Sequence, residues 1–340
     1  MTTAVTCLAC ASPRVQANVS DHFDGERFFT PGAPTQPGMS GVLKWLATRS
    51  PGPWRPYQDF PPGPKPPERV ADLRVTFINH ATTLIQMDGL NILTDPIWSK
   101  RCSPVAFAGP ARKRPPGIRF EDLPPIDAVL ISHNHYDHMD LPTLRRVRDE
   151  RGAPRVFAGI GNQPFLTGQG IPNVEQLDWW ESREIGPGVR VTAVPVQHFS
   201  NRGVADRNRT LWTGYVISGP SGNVFFAGDT AFGPHFQAIA DAFAPIRLAI
   251  LPIGAYKPEW FMGPVHQSPS QAIDAQAVLH AETALAIHFG TFPLADDGQD
   301  EPVDVLHAEL KNRPDQRFWV LGFGEGRDVP TIGTPVVNGE

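Results

Sequence analysis

Three cysteines among 340 residues are too few for a disulfide framework, and Cys7, Cys10 and Cys102 are not spaced as a zinc ribbon. Cys7 and Cys10 do form a Cys-x-x-Cys pair, but no βαβ pattern follows, so a redox motif is not expected. No apolar run approaches the roughly 20 residues that span a bilayer. The first residues lack the basic start of a signal peptide, and Leu8-Ala9-Cys10 matches a lipoprotein cleavage box only in outline. A basic excess is also missing. Thirty lysines and arginines face 35 aspartates and glutamates, for a net charge of −5, which removes the usual footprint of nucleic-acid binding. The expectation is a cytoplasmic or peripherally membrane-associated protein with no nucleic-acid partner; the sequence also allows a homodimer.

What the chain does have is apolar bulk, proline and histidine. Hydrophobic residues make up 41% of it, enough for a large core. Prolines are dense from Pro31 to Pro67, which forbids long helices and central strands there. Residues 1–70 are expected to wrap the core as extended chain, with Val42–Leu46 as one or two helical turns anchored on it. Residues 71–340 are expected to form one domain.

From Leu73 the pattern is regular. Arg74–Ile78, Thr83–Met87 and Asn91–Thr94 read as strands joined by short turns, one of them marked by Asp88-Gly89. Ile126–Ile131 is a buried strand, and Pro154–Phe157, Val174–Leu177, Val189–Val196, Leu211–Ile217, Asn223–Gly228, Thr283–Ile287 and Phe318–Leu321 add others. Helices are expected over Leu141–Glu150, capped by Asp140, and over His235–Phe243, Ser270–His280 and Pro302–Asn312. Strands first, then strands alternating with helices in both halves, fit two face-to-face sheets with helices outside.

The chemistry concentrates in Ser132-His133-Asn134-His135-Tyr136-Asp137-His138-Met139, where four metal-ligating side chains fall within six residues. They follow a buried strand, and the C-terminal end of a strand is where an open α/β sheet presents its chemistry. In extended chain His133 and His135 point the same way, and a turn after Tyr136 would swing Asp137 and His138 toward a second ion. Imidazole with carboxylate suits zinc, and also manganese or iron. Three further strand ends carry ligand types: His198, Asp229 after Gly228, and His288. Together these are seven ligands, enough for two divalent ions with open positions.

This ordered set resembles the metallo-β-lactamase superfamily. The segments Asn79-His-Ala-Thr82, Leu93-Thr-Asp-Pro96, Ser132–His138, Phe226-Ala-Gly-Asp-Thr230, Leu251-Pro-Ile-Gly-Ala-Tyr256 and Ala286-Ile-His-Phe-Gly-Thr291 are similar to its N-acyl-phosphatidylethanolamine-hydrolysing phospholipase D branch. The resemblance runs through nearly the whole chain. It implies an α/β fold of the αββα four-layer sandwich type. It also implies His133, His135 and His198 on one metal, Asp137, His138 and His288 on a second, and Asp229 bridging both. The activity implied is a phosphodiesterase of phospholipase D type with a metal-bridging hydroxide, yielding an N-acylethanolamine and phosphatidic acid.

Other residues carry expectations of their own. The branch has a functional histidine in the segment matching His266, which implies a catalytic role at substrate or leaving group. Asp137, beside the nucleophile, is a candidate proton acceptor. Tyr136, between ligands, is expected to line the mouth and touch substrate; Arg202, four residues after His198, could neutralise a phosphate oxygen. His80 and Asp95 read as supporting residues and not ligands. Trp98, Trp260, Phe261 and Phe292 flank site motifs and could form an apolar channel. One alternative is a hydrolase of a lactone or small phosphodiester. Another is a metal-binding protein without turnover, disfavoured because structural sites are closed and four-coordinate.

Overall fold

The computed structural model describes residues 20–203 and 205–336. The Cys7–Cys10 pair and the leader-like N-terminus lie outside the described residues. In chain order, helix α1 (Met39–Thr48) precedes strands β1 (Leu73–Asn79), β2 (Thr82–Met87), β3 (Leu90–Thr94) and β4 (Ala128–Ile131). Then come α2 (Leu141–Glu150), β5 (Arg155–Gly159), α3 (Gln163–Gly168), β6 (Val174–Leu177), β7 (Ser182–Gly186), β8 (Val189–Val194), β9 (Gly214–Gly219) and β10 (Gly222–Phe226). The chain continues through α4 (His235–Phe243), β11 (Ile246–Pro252), α5 (Glu259–Met262), α6 (Pro269–Val278), β12 (Ala281–Ile287), α7 (Glu301–Leu310), β13 (Arg317–Trp319) and β14 (Gly326–Asp328).

The strands form two seven-stranded sheets, ordered β14-β1-β2-β3-β4-β5-β6 and β13-β12-β11-β10-β9-β8-β7. Each sheet begins with antiparallel strands and continues in parallel ones: β3 to β6 in the first, β10 to β13 in the second. Side-chain alternation then sorts the first sheet into two faces. Val75, Phe77, Ile92, Leu130 and Phe157 join Tyr215, Phe226, Ile250 and Leu285 of the second sheet in one core between the sheets. Ile78, Leu84, Leu93, Val129 and Ile131 face the other way and pack with Leu144 and Val147 of α2. On the far side of the second sheet α6 packs against β11, β12, α4 and α7. The architecture is the expected αββα sandwich.

Several local expectations change. The anticipated helical turns at Val42–Leu46 extend to all of α1, and none of its residues is buried. The helix is therefore not a core anchor: Met39, Leu43 and Leu46 are exposed, while Trp45 stacks on Phe261 at 5.0 Å. Residues 49–72 hold no helix or strand. Their backbone is tied to distant segments instead, through Gly52 N to Asp296 O at 2.7 Å and Gly63 N to Gly117 O at 2.7 Å. Asp140 does precede α2, but its carboxylate takes hydrogen bonds from Thr143 Oγ1 and the Ser99 hydroxyl and none from the helix N–H groups. The strand expected over Leu211–Ile217 starts only at Gly214, because Leu211 N is bonded to Ile160 O in the first sheet's connection. β7, α3, α5, β14 and, most notably, the central strand β11 were not foreseen.

Candidate metal centre

β4 is buried on both faces and stops at Ile131. Asp95, at the neighbouring end of β3, captures the next residue: its carboxylate accepts from Ser132 N at 2.7 Å and Ser132 Oγ at 2.6 Å. The chain then turns, with Met139 N bonded to His135 O at 2.9 Å, so that Asp137 and His138 swing round as the sequence suggested. Arg202 braces this turn from outside, its Nη1 donating to Asn134 O at 3.0 Å and Met139 O at 2.9 Å.

All seven expected ligand residues converge on this point. Oδ2 of Asp229 lies 3.2 Å from Nε2 of both His138 and His288. Oδ2 of Asp137 lies 3.3 Å and 3.5 Å from the same two nitrogens. Donors held about 2.0–2.1 Å from a tetrahedral ion stand roughly 3.3 Å from one another, so these four spacings are those of one coordination shell. Nε2 of His138 and of His288 are buried without a hydrogen-bond partner, the condition expected of atoms whose partner is a cation. The other set is less even. His133 Nε2 and His198 Nε2 lie 2.7 Å and 3.4 Å from His135 Nδ1, and 4.0 Å and 3.7 Å from Asp229 Oδ2. Asp229 Oδ2 thus faces both sets. These residues fit divalent metal.

The rings are oriented through their second nitrogens. Nδ1–H of His138 donates to Asp95 Oδ2 at 2.7 Å, and Nδ1–H of His198 to Val265 O at 2.9 Å. Nδ1–H of His133 donates to Ser132 Oγ at 2.9 Å, whose own proton is given to Asp95. Backbone geometry is unusual here. His80, Asp95 and His288 adopt left-handed φ values of 48°, 31° and 64°, costly for side chains of this size and held by surrounding contacts. Gly228, at φ 61°, allows Asp229 in: a Cβ there would sit 2.4 Å from that of Ser132.

Burial sets the protonation of this cluster. It holds His133 and His198 well below the ordinary imidazole value and brings His135 and His266 down to about 4. Burial also disfavours charge on His138 and His288, but the carboxylates of Asp229 and Asp137 outweigh it. His138 is pushed well up, and His288 to about 9. Reciprocally, His138 holds Asp137 and Asp229 well below the usual carboxylate range against the effect of burial. Protons and metal ions compete for the same nitrogens.

The cluster opens into a pocket of about 270 Å³, lined by His135, Asp137, Asp229, His266 and His288. Its apolar walls come from Pro37, Val42 and Trp45 of the N-terminal segment and from Phe199, Phe261 and Leu294. His266 is brought in as expected, its ring 5.0 Å from that of His198 and its Nδ1 buried without a partner. Tyr136 and Arg202 are not in this pocket's lining. They border an adjacent cleft of about 880 Å³, with Tyr136 Oη donating to Arg202 O at 3.0 Å. The pocket's own arginine is Arg207, which no sequence signal marked. Of the four aromatics expected to form a channel, only Phe261 lines the pocket. Trp98 packs with Phe120, Phe292 packs with Ile97, and Trp260 is exposed under Lys44. The α1 residues were missed because a wall lacks any chemical signature in sequence.

The β-lactamase superfamily domain matches residues 90–289, from β3 to just past β12. The chain belongs to the metallo-β-lactamase superfamily. It is 36% identical over 266 residues to N-acyl-phosphatidylethanolamine-hydrolyzing phospholipase D 1 of Caenorhabditis elegans, covering 74% of this chain and 75% of that one. It is 32% identical over 233 residues to a metal-dependent hydrolase of Methanopyrus kandleri, covering 67% of this chain and 89% of that one. Among solved structures it resembles an isothiocyanate hydrolase from Delia radicum gut bacteria, with TM-score 0.59 and 21% identity over 75% of this chain and 98% of the other. That last likeness concerns the fold alone. The chain is a metal-dependent hydrolase of the superfamily, and no helix among the described residues is long and apolar enough to cross a membrane.

Proposed function

We propose that this chain is a binuclear phosphodiesterase of phospholipase D type, hydrolysing N-acyl-phosphatidylethanolamine or a related phospholipid to an N-acylethanolamine and phosphatidic acid. The observation that carries the two-ion part is the placement of Asp229 Oδ2, 3.2 Å from His138 and His288 and 4.0 Å or less from His133 and His198. In this reading His133, His135 and His198 would hold one ion and Asp137, His138 and His288 the other, with Asp229 Oδ2 facing both sets. Zinc fits best, with manganese or iron as alternatives. Two such ions would supply a lowered water pKa and polarisation of a phosphoryl oxygen. The substrate class is supported by the worm relative's name and by the apolar wall.

The chain's own residues do the rest. His266 is neutral at neutral pH, because burial lowers its pKa to about 4. It therefore acts as a hydrogen-bond donor to a phosphoryl or leaving oxygen, not as a cation. Arg207 supplies positive charge to the phosphodiester from the pocket wall. Asp137, held ionised, accepts the proton of the attacking water. Pro37, Val42, Trp45 and Phe261 exclude water and receive the part of an acyl chain nearest the scissile bond. Tyr136 and Arg202 bind the remainder of the lipid in the adjacent cleft.

One observation favours a second reading. A pocket of about 270 Å³ lies below the roughly 300–1,000 Å³ of ordinary small-molecule sites. A lactone or small phosphodiester would fill it without the cleft. The deciding experiment is turnover by metal-loaded protein of a phospholipid panel, with lactone and bis-nitrophenyl phosphate controls. In ¹⁸O-labelled water the label should enter phosphatidic acid and not the N-acylethanolamine. Lactone hydrolysis with no phospholipid cleavage would establish the second reading.

A further inference from the structure

His80 stands at the end of β1, one residue past Asn79, and is fully buried. Its Nε2 lies 2.9 Å from Oδ2 of Asp137, the oxygen that faces His138 and His288. Its Nδ1 is buried with no partner. A neutral imidazole has one N–H, and a buried donor without an acceptor is costly. The proton therefore sits on Nε2, which has an acceptor, and not on Nδ1. His80 is thus a donor to Asp137, and its spacing is that of a hydrogen bond.

The residue is clamped in this position. Its backbone N–H donates to Thr291 Oγ1 at 3.1 Å, and its carbonyl accepts from His288 N at 2.8 Å. Its ring centre lies 4.0 Å from that of His288, and the edge of Phe292 closes the other side at 5.3 Å and 87°. Its φ of 48° is a conformation that a bulky side chain keeps only when its surroundings enforce it. One residue of the first sheet is therefore bonded through its ring to Asp137 and through its backbone to His288 of the second.

We propose that His80 is a positioning residue for the second metal ion. A carboxylate oxygen has two acceptor directions. His80 takes one direction on Asp137 Oδ2, which leaves the other aimed between His138 and His288. The same residue, by its backbone bond to His288 N, ties the position of Asp137 to that of His288. In this proposal His80 holds Asp137 and not the ion, because its Nε2 faces Asp137 Oδ2 at hydrogen-bond distance. The proposal rests on the two-ion reading above.

The test is cobalt(II) titration of the whole chain, wild type against His80→Leu and His80→Gln, followed by visible absorption. Leucine removes the donor, whereas the glutamine amide can still donate to Asp137. In His80→Leu the second ion should bind on the order of 10–100-fold more weakly, with the first unchanged. Its saturated spectrum should keep the wild-type band pattern, because the ligand set is intact. His80→Gln should bind both ions within a few-fold of wild type, and His80→Met, which fills the space without a donor, replaces the leucine variant if that one does not fold. Equal weakening in both variants would make the role one of packing and overturn the proposal. A saturated stoichiometry of one ion in both variants, with altered bands, would make His80 a ligand and overturn it too. Unchanged binding in His80→Leu would dispose of it as well. If the wild-type chain takes up no second ion, the two-ion reading fails first, which is distinct from two ions bound with no response to His80.

Discussion

Asp95 Oδ2 lies 2.7 Å from Nδ1 of His138, and neither side chain has any exposure to solvent. The same carboxylate holds Ser132, which in turn accepts from His133. One buried aspartate therefore orients the rings of His138 and, through Ser132, of His133. Its position at the end of β3, hydrogen-bonded across to the start of the loop after β4, makes strand pairing and ring orientation a single structure.

Asp95→Asn keeps the shape and leaves an acceptor for Ser132 N, but weakens the hold on His138. Affinity for metal should fall on the order of 10–100-fold, as when comparable supporting carboxylates are lost. Competition against a chelator of known affinity measures this. Wild-type affinity in the variant would show that His138 is oriented by other contacts.

Gly228→Ala places a methyl group 2.4 Å from Cβ of Ser132, in a left-handed conformation that alanine resists. Something must move, and either Asp229 or Ser132 does. A stability loss of about 1–3 kcal/mol is expected, together with fewer ions retained per chain. Denaturant unfolding and elemental analysis of the same preparation would read both.

Trp45→Ala removes part of the pocket wall without touching the metal cluster. The ring stacks on Phe261 and its Nε1 donates to Asp296 at 3.2 Å. For long-chain substrates KM should rise on the order of tenfold, equivalent to about 1.4 kcal/mol of lost contact. Turnover of a small water-soluble phosphodiester and the metal content should stay near wild type. An equal loss on both substrates would place Trp45 in folding and not in substrate selection.

His235 lies outside the ligand set, buried, with Nε2 3.1 Å from Thr230 Oγ1. Burial lowers its pKa from 6.5 to about 3. A histidine depressed in the folded state contributes stability above its unfolded pKa, and that contribution is lost as pH falls from about 6.5 toward 3. From pH 7 to pH 5 it accounts for up to about 2 kcal/mol of destabilisation. His235→Gln should flatten the stability profile in this window, as measured by urea unfolding at both pH values. An unchanged slope would assign acid sensitivity to other groups.

The clustering of the candidate ligands was legible because their chemistry is local. His133 through His138 form a dense cluster after an apolar run, and Asp229 and His288 each end a strand, so residue type and position agreed. β11 was not legible: apart from Arg247, Ile246–Pro252 is apolar and lacks the alternation that marks a half-exposed strand, because both its faces are buried. Arg202 and Arg207 show a different limit. Both sit in one polar loop beside His198, and nothing in their sequence says that the first braces the turn at Met139 while the second reaches the pocket. That assignment is made by tertiary packing. His80 could be read as supporting the site, but not whom it supports, since Asp137 lies 57 positions away.

The reacting groups all come from the sandwich, whereas part of the pocket's apolar wall comes from residues 37–45, which contribute nothing buried to either core. The two are separable under mutation. Substitutions along α1 can widen, narrow or reshape the cavity at little risk to the strand ends that hold the candidate ligands. A lineage carrying this arrangement can exchange one substrate for another through intermediates that all retain their metal. The strand ends, bound to one another through Asp95, have no such latitude.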